Sequence, residues 1–145
     1  MIRLVMGDDL RRAIENQARA AAPRECCGLI EGIVEGGDYR ALALHPSPNL
    51  APRDDRFEIA PDVQFAALKA ARANGHRIIG CYHSHLNGQA EPSRHDLAGA
   101  GEDGFVWLIA SPPELKAFVY ERGGFCEIGL ATGADLVTSS SNVRN

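Results

Sequence analysis

The sequence lacks the concentration of positive charge that a nucleic-acid-binding surface requires. Its 145 residues include 15 lysines and arginines against 19 aspartates and glutamates, which gives a formal net charge of −4. The basic residues are scattered, and the densest group is only Arg11-Arg12. Because nucleic-acid-binding proteins displace counterions from phosphates with clustered basic side chains, we expect no nucleic-acid partner.

Long apolar runs are also missing. Residues 106–110 form one of the longest, and a transmembrane helix needs roughly 20 such residues. Near the N-terminus, Asp8 and Asp9 arrive too early for a secretory signal, which requires an uninterrupted apolar stretch. We therefore expect a cytoplasmic protein without a membrane partner.

Closely spaced cysteine pairs are absent as well. The four cysteines are Cys26, Cys27, Cys81 and Cys126, and no two have the C-x-x-C spacing of a four-cysteine zinc site or a thioredoxin-like motif. Cys26 and Cys27 would point to opposite faces of a strand and would not bond to each other. We interpret the cysteines as reduced, mostly buried thiols. A catalytic thiol is the alternative, although no activating base is evident nearby.

The composition is that of one globular domain, since hydrophobic residues make up 45% and charged residues 23% of the chain. We predict a single domain over residues 1–137 and a polar, disordered tail over residues 138–145. No internal repeat or interdomain linker is evident.

Hydrophobic periodicity predicts an α+β fold, with a mixed, curved β-sheet and helices packed on its faces. Asp8 and Asp9 offer N-cap chemistry for a first helix that Pro23 ends, Pro61 begins a second, and Ser93 caps a third that runs through Ala100. The second helix has an apolar face of Val63, Ala66, Ala67 and Ala70. The predicted strands cover residues 1–6, 27–34, 39–44, 57–59, 77–84, 105–110, 115–122 and 125–130.

The proline-rich stretch from His45 to Arg56 is interpreted as a loop. It is long for so small a domain, and long ordered loops often have a function. Residues 46–56 are therefore a candidate flap over a cleft.

The segment His83-Ser84-His85, followed after ten residues by Asp96, carries the strongest chemical signal. Side chains two apart on an extended segment project to the same side, so the two imidazoles can converge on one ion. The loop after His85 lets Asp96 return to them from the next helix. Three protein ligands leave a fourth tetrahedral position open, which is typical of catalytic zinc.

Hydrolysis at such a metal also needs a base that takes a proton from water and returns it to the leaving amine. Glu25 is the candidate because it directly precedes a predicted strand, although composition alone would not select it from the other acids.

Three segments together resemble the JAMM metalloprotease motif of the catalytic MPN-domain family. They are Glu25-Cys-Cys-Gly-Leu-Ile, Ile79-Gly-Cys-Tyr-His-Ser-His85 and Pro92-Ser-Arg-His-Asp96. Asn49 and the stretch 57–61 are similar to the short bacterial members. Leu86 stands where the family has proline, and the chain is too short for the insertions that recognise ubiquitin chains in eukaryotic members.

The resemblance implies an MPN/JAMM-like fold, with layering similar to that of cytidine deaminases, and one zinc ion held by His83, His85 and Asp96. It implies that Glu25 is the general acid/base and that Ser93 stabilises the oxyanion. It further implies cleavage of a peptide or isopeptide bond at the Gly-Gly C-terminus of a ubiquitin-like or sulfur-carrier protein.

Each of these features also has a structural interpretation. Ser93 and Asp96 form a capping-box pattern, Glu25 could be a solvated acid, and His45, His76 and His95 are treated as structural, with His45 and His76 exposed. The chain could therefore be a non-catalytic MPN-like scaffold. A zinc deaminase is a weaker alternative, because its H-x-E and Pro-Cys-x-x-Cys signatures are absent. The oligomeric state is left open.

Overall fold

A computed structural model describes residues 2–86 and 88–133 of the chain. The predicted tail over 138–145 lies outside these residues. The elements in chain order are β1 (Arg3–Val5), α1 (Asp8–Ala21), β2 (Cys27–Glu35), β3 (Asp38–Ser47), α2 (Pro61–Ala73), β4 (Arg77–Ser84), α3 (Arg94–Gly99), β5 (Phe105–Ser111), β6 (Glu114–Glu121) and β7 (Gly124–Ala131).

The seven strands form one mixed sheet in the order β1-β3-β2-β4-β5-β6-β7, and the sheet closes on itself. β1 runs parallel to both β3 and β7, and β4 runs parallel to β5, whereas the remaining pairs are antiparallel. The sequence predicts the mixed, strand-rich sheet but not its closure. The sheet closes through β1, a three-residue strand that pairs with β3 on one side and with β7 on the other. No local sequence pattern predicts this pairing.

The helices begin and end close to the predicted residues, with two corrections. The N-cap of α1 is Gly7, whose backbone is extended, and Asp8 and Asp9 lie inside the first turn. There their carboxylates interact favourably with the positive end of the helix dipole, but they do not cap the helix. The buried residues of α2 are Ala67 and Ala71, so the apolar face is narrower than predicted and excludes Ala66, which is exposed. No helix within the described ranges is long and apolar enough to cross a membrane.

The connection between β3 and α2 differs most from the prediction. β3 continues to Ser47, so His45 lies on a strand and not in a loop. Residues 57–59 do not form a strand and contribute only one bridge, between Asn49 and Ile59. Prolines at 46 and 48 suggest a loop locally, but pairing of β3 with β2 as far as Cys27 overrides that preference.

Alternate residues of the central strands face two different hydrophobic clusters. Ile30 of β2 and Tyr82 of β4 belong to the larger cluster, which also contains α1 residues such as Ile14. Leu29 and Cys81 belong to the second, which lies against α2 and includes Trp107. Since side chains alternate along a strand, His83 and His85, which follow Cys81 by two and four positions, continue on the side of the second cluster.

Candidate metal centre

His83 and His85 lie where β4 ends. Cys27 of β2 pairs with His83 on one side, and Ile109 of β5 pairs with it on the other. His85 extends this arrangement beyond the strand, with its backbone N–H donating to the carbonyl of Ala110 at 2.8 Å. Both imidazoles are buried, with 0% and 5% exposure. Their backbone positions are therefore fixed by the sheet.

Asp96 reaches these imidazoles from the first turn of α3. Its Oδ2 lies 3.1 Å from Nε2 of His83 and 3.2 Å from Nε2 of His85, and the two Nε2 atoms are 3.1 Å apart. The structure thus brings together the three side chains that the sequence analysis selected.

The three atoms fit a tetrahedral zinc ion. Zinc–ligand distances of about 2.0–2.1 Å place two tetrahedral ligands about 3.3 Å apart, close to the spacing of the atoms of His83, His85 and Asp96. Nδ1 of His85 lies 3.1 Å from the carbonyl of Gln89, an arrangement that leaves Nε2 available for a metal. Nδ1 of His83 is buried and has no hydrogen-bond partner among the described residues.

Burial and mutual charge shift the pKa values of this cluster. Burial is the largest influence on His83 and lowers its pKa, which favours the neutral imidazole that binds metal. Burial opposes ionisation of Asp96, but hydrogen bonds from the two histidines outweigh it and lower the pKa of that carboxyl. Burial also disfavours the His85 cation, but the hydrogen bond and charge of Asp96 overcome this effect and raise its pKa.

Phe57, in the loop before α2, covers one side of the cluster formed by His83, His85 and Asp96, which we call the metal cluster. Its ring stacks on His83 with centroids 4.3 Å apart and planes inclined by 20°, and it contacts Trp107 edge to face. No local sequence pattern predicts this position for Phe57. The stacking fixes the imidazole plane and excludes water from that side of the cluster.

Glu25 is buried beside the same cluster, with 6% of its surface exposed. A carboxylate oxygen of Glu25 and one ring nitrogen from each of His83 and His85 lie within 4.8 Å of one another. This carboxylate could therefore also reach an ion held by the two imidazoles, but only Asp96 lies within 3.2 Å of both ring nitrogens. Oε1 of Glu25 is buried and has no hydrogen-bond partner in the part of the chain that the structure describes, and burial raises the pKa of Glu25 to about 7.

The peptide bond between Glu25 and Cys26 is held by two polar side chains. The amide of Cys26 donates to Oγ of Ser84 at 2.8 Å, and the amide of Ser84 donates to the carbonyl of Cys26 at 3.1 Å. Nδ2 of Asn49 donates to the carbonyl of Glu25 at 2.9 Å. Ser84, which lies between the two histidines, thus joins the metal strand to the segment that carries Glu25. Its place in the motif could have suggested such a role.

Ser93 caps α3 as predicted. Its Oγ accepts from the amide of Asp96 at 3.1 Å, and its own amide donates to Oδ2 of Asp96 at 2.9 Å. A hydroxyl accepts and donates at once, so capping leaves the O–H of Ser93 available for another acceptor. Ser93 and Glu25 line the same cleft, together with His85 and the acidic residues Asp54 and Asp55.

A cysteine nucleophile gains no support. Cys26 and Cys27 adjoin Glu25 in sequence, but both are buried. Burial raises the pKa of Cys26, and it raises that of Cys27 to about 12. Since the thiolate is the nucleophile, these thiols are unreactive near neutral pH.

The remaining histidines are not simply exposed, as the sequence analysis assumed for two of them. Nε2 of His45 and Nδ1 of His76 lie 2.8 and 2.7 Å from the two carboxylate oxygens of Glu31, which is 2% exposed. Nε2 of His95 lies 3.3 Å from the guanidinium of Arg56 and 3.5 Å from Asp55, so it connects α3 with the preceding loop. The contacts of His45 and His76 with Glu31 had a sequence signal, because Glu31 is an acid within the apolar run of β2.

The chain is similar to proteins of a known family. A family model described as prokaryotic homologs of the JAB domain matches residues 7–121. A desampylase of Haloferax volcanii is 36% identical over 137 residues, covering 89% of this chain and 96% of the relative. A desampylase of Pyrococcus furiosus is 26% identical over 117 residues and covers 80% of each chain.

Solved structures show the same fold. The solution structure of the protein DSY2949 from Desulfitobacterium hafniense has a TM-score of 0.81 at 29% identity and covers 90% of this chain and 92% of its own. A JAB1/MPN domain protein from Archaeoglobus fulgidus has a TM-score of 0.56 at 19% identity, covering 90% and 96%. The second likeness concerns the fold alone.

Proposed function

The chain belongs to the family of prokaryotic homologues of the JAB domain, and from that premise we propose that it is a zinc-dependent peptidase or isopeptidase. The observation that carries the proposal is the spacing of 3.1–3.2 Å among the ligand atoms of His83, His85 and Asp96. The second support is the buried carboxylate of Glu25 beside them, whose Oε1 has no hydrogen-bond partner within residues 2–86 and 88–133.

His83, His85 and Asp96 would hold one zinc ion, which when bound acts as a Lewis acid that polarises a carbonyl and acidifies water. Glu25 takes a proton from water and passes it to the leaving amine. A group that gains and loses a proton near neutral pH works best with a pKa in that range, and burial raises the pKa of Glu25 toward it in the metal-free protein. Ser93 donates its O–H to the carbonyl oxygen as negative charge develops there.

The substrate we propose is a ubiquitin-like or sulfur-carrier protein, cleaved after its C-terminal Gly-Gly. The two relatives named desampylase support a hydrolase that acts on a ubiquitin-like protein. The cleft beside Glu25 is lined by Leu86, Pro92 and acidic residues of the preceding loop. We further propose a cytoplasmic location and one domain over residues 1–137.

The test is to incubate the protein, purified without chelators, with Gly-Gly-tailed carrier proteins fused at their C-termini, and to weigh the products by mass spectrometry. We expect one zinc per chain by elemental analysis and a single cut after the second glycine. A chelator should abolish the cut, and added zinc should restore it. An empty site under zinc-replete conditions, with no cleavage, would favour a non-catalytic scaffold.

A further inference from the structure

A second cavity borders Asp96, and Glu25 is not among the residues that line it. It has a volume of about 370 Å³, within the range of small-ligand pockets. Its floor is apolar and its rim is polar, with Arg56, Glu58 and Glu102 at the opening. The floor consists of Leu29, Phe57, Ile59, Cys81, Phe105 and Trp107. We call it the apolar cavity.

The apolar cavity and the acidic cleft share one wall. His95 lines both, and its Nε2 lies 3.3 Å from the guanidinium of Arg56, which lines the apolar cavity. Asp96 lines the apolar cavity, while its Oδ2 faces the two imidazoles. Glu25 and Ser93 line the cleft instead. The candidate ligands thus lie between an acidic cleft that holds the base and an apolar cavity that holds none of the proposed proton-transferring groups.

This arrangement gives a direction to a bound substrate. Under the proposed function, Glu25 protonates the leaving amine, so the amine lies in the cleft with Glu25. The acyl half of the substrate then extends past Asp96, toward the apolar cavity. The last two residues of that half are glycines and have no side chain to place there. The first side chain available to fill the cavity is that of the residue before them.

Resting on the proposed function, we propose that the apolar cavity binds an apolar side chain of the residue that directly precedes the two C-terminal glycines of the substrate. Leu29, Phe57 and Trp107 would form its contact surface. An enzyme with such a subsite selects among carrier proteins by this residue. A hydrophobic pocket of this kind typically discriminates by about 10- to 200-fold in kcat/KM between side chains that differ in apolar size.

The test uses substrates of the form X-Gly-Gly joined to an amine, in which X is leucine, phenylalanine, alanine or glutamate. We expect kcat/KM to be at least tenfold higher with leucine or phenylalanine than with alanine, and lowest with glutamate. Gly101→Leu should reduce this preference by filling the cavity from its rim. A Cβ at Gly101 meets no atom within 4 Å and its φ is not positive, so the backbone tolerates the change.

Gly124→Leu is the matched control. This glycine also has open space around its Cβ, but it lies on β7 and does not line the cavity. It should leave the preference for leucine unchanged.

A second measurement does not depend on turnover. Trp107 is the only tryptophan of the chain and lies in the cavity floor, so its fluorescence reports occupancy. Titrating a Leu-Gly-Gly peptide into the Glu25→Gln protein should change that emission, whereas a Glu-Gly-Gly peptide should not.

The outcomes separate the two proposals. If no Gly-Gly substrate is cut, the proposed function fails. If all four substrates are cut at similar rates and the fluorescence of Trp107 does not respond, the subsite is refuted while the peptidase stands. Retention of the full leucine preference in Gly101→Leu would also refute it.

Discussion

The protein contains two buried glutamates, Glu25 and Glu31, and each lies near a pair of histidines. The pKa of Glu25 is raised, whereas the pKa of Glu31 is lowered. Glu31 bonds to His45 and His76, whereas Glu25 lies beside His83 and His85. Both glutamates are buried, at 2% and 6% exposure. Residue type and burial therefore do not distinguish a structural cluster from a reactive one.

The difference is whether the carboxylate oxygens have partners. Both oxygens of Glu31 are bonded, at 2.7–2.9 Å, to His45, Asn74 and His76. Burial opposes ionisation there, but these hydrogen bonds outweigh it and lower the pKa to about 2. Oε1 of Glu25 accepts no hydrogen bond from any described residue, and burial raises the pKa of Glu25 to about 7. The hydrogen bonds of Glu31 thus join β2 to β3 and to the segment after α2, whereas Oε1 of Glu25 has no such role.

The largest expected effect comes from making the same substitution in both clusters. Glu25→Gln should lower kcat by about 10²–10⁴-fold, because it removes the proton-transferring group. Glu31→Gln should change kcat by less than about twofold at a temperature where it is folded, since Glu31 lies outside the cleft. Zinc content and hydrolysis of a Gly-Gly fusion are measured for both. Comparable activity losses in the two variants would erase the distinction.

Ser84→Ala tests whether Glu25 needs its backbone fixed. Loss of the hydroxyl leaves the amide of Cys26 without its partner, and the displaced carboxylate should lower kcat by about 10- to 100-fold. KM and zinc content should stay unchanged, because no ligand is removed. Ser84→Thr keeps a hydroxyl and should restore most of the rate. A parallel loss of zinc in Ser84→Ala would show that the serine supports the metal strand and not Glu25.

Stability should respond to Glu31 in a pH-dependent way. Its pKa is lowered in the folded state, so its contribution is present above the ordinary value of 4.5 and is lost as the pH falls toward about 2. At pH 7, Glu31→Gln should lower the free energy of unfolding by about 1–3 kcal/mol. Urea unfolding at pH 7 and pH 3 measures the difference. A gap between the two proteins that is as wide at pH 3 would contradict this assignment.

The smallest expected effect is an increase in the free energy of unfolding, caused by Glu25→Gln. In the metal-free protein, the raised pKa of Glu25 means that ionising it opposes folding above pH 4.5, increasingly up to about pH 7. Glu25→Gln should therefore raise the free energy of unfolding at pH 8 by about 1 kcal/mol. The gain should disappear below pH 4.5, where the carboxyl is neutral in both states. Thermal melts of chelator-treated protein at the two pH values decide the matter.

Much of the candidate site was predictable because it follows from local spacing. His83 and His85 share a face by strand alternation, and Asp96 returns to them within one loop and one helical turn. The roles of Phe57, Asn49 and Ser84 depend on contacts between segments 24 to 58 residues apart, which no local pattern encodes. The same reason applies to the closure of the sheet through β1.

Asn49 ties together both ends of the loop over residues 48–60. Its side chain donates to the carbonyls of Glu25 and Arg56, and it accepts from the amides of Ala51 and Glu58, all at 2.9–3.0 Å. Ordering a backbone costs about 1–2 kcal/mol per residue in conformational entropy. Because Asn49 holds the loop over residues 48–60, the entropy cost of ordering that loop is incurred when the chain folds and not when a polypeptide binds. Under the proposed function, an incoming polypeptide would meet a loop whose two ends Asn49 already holds.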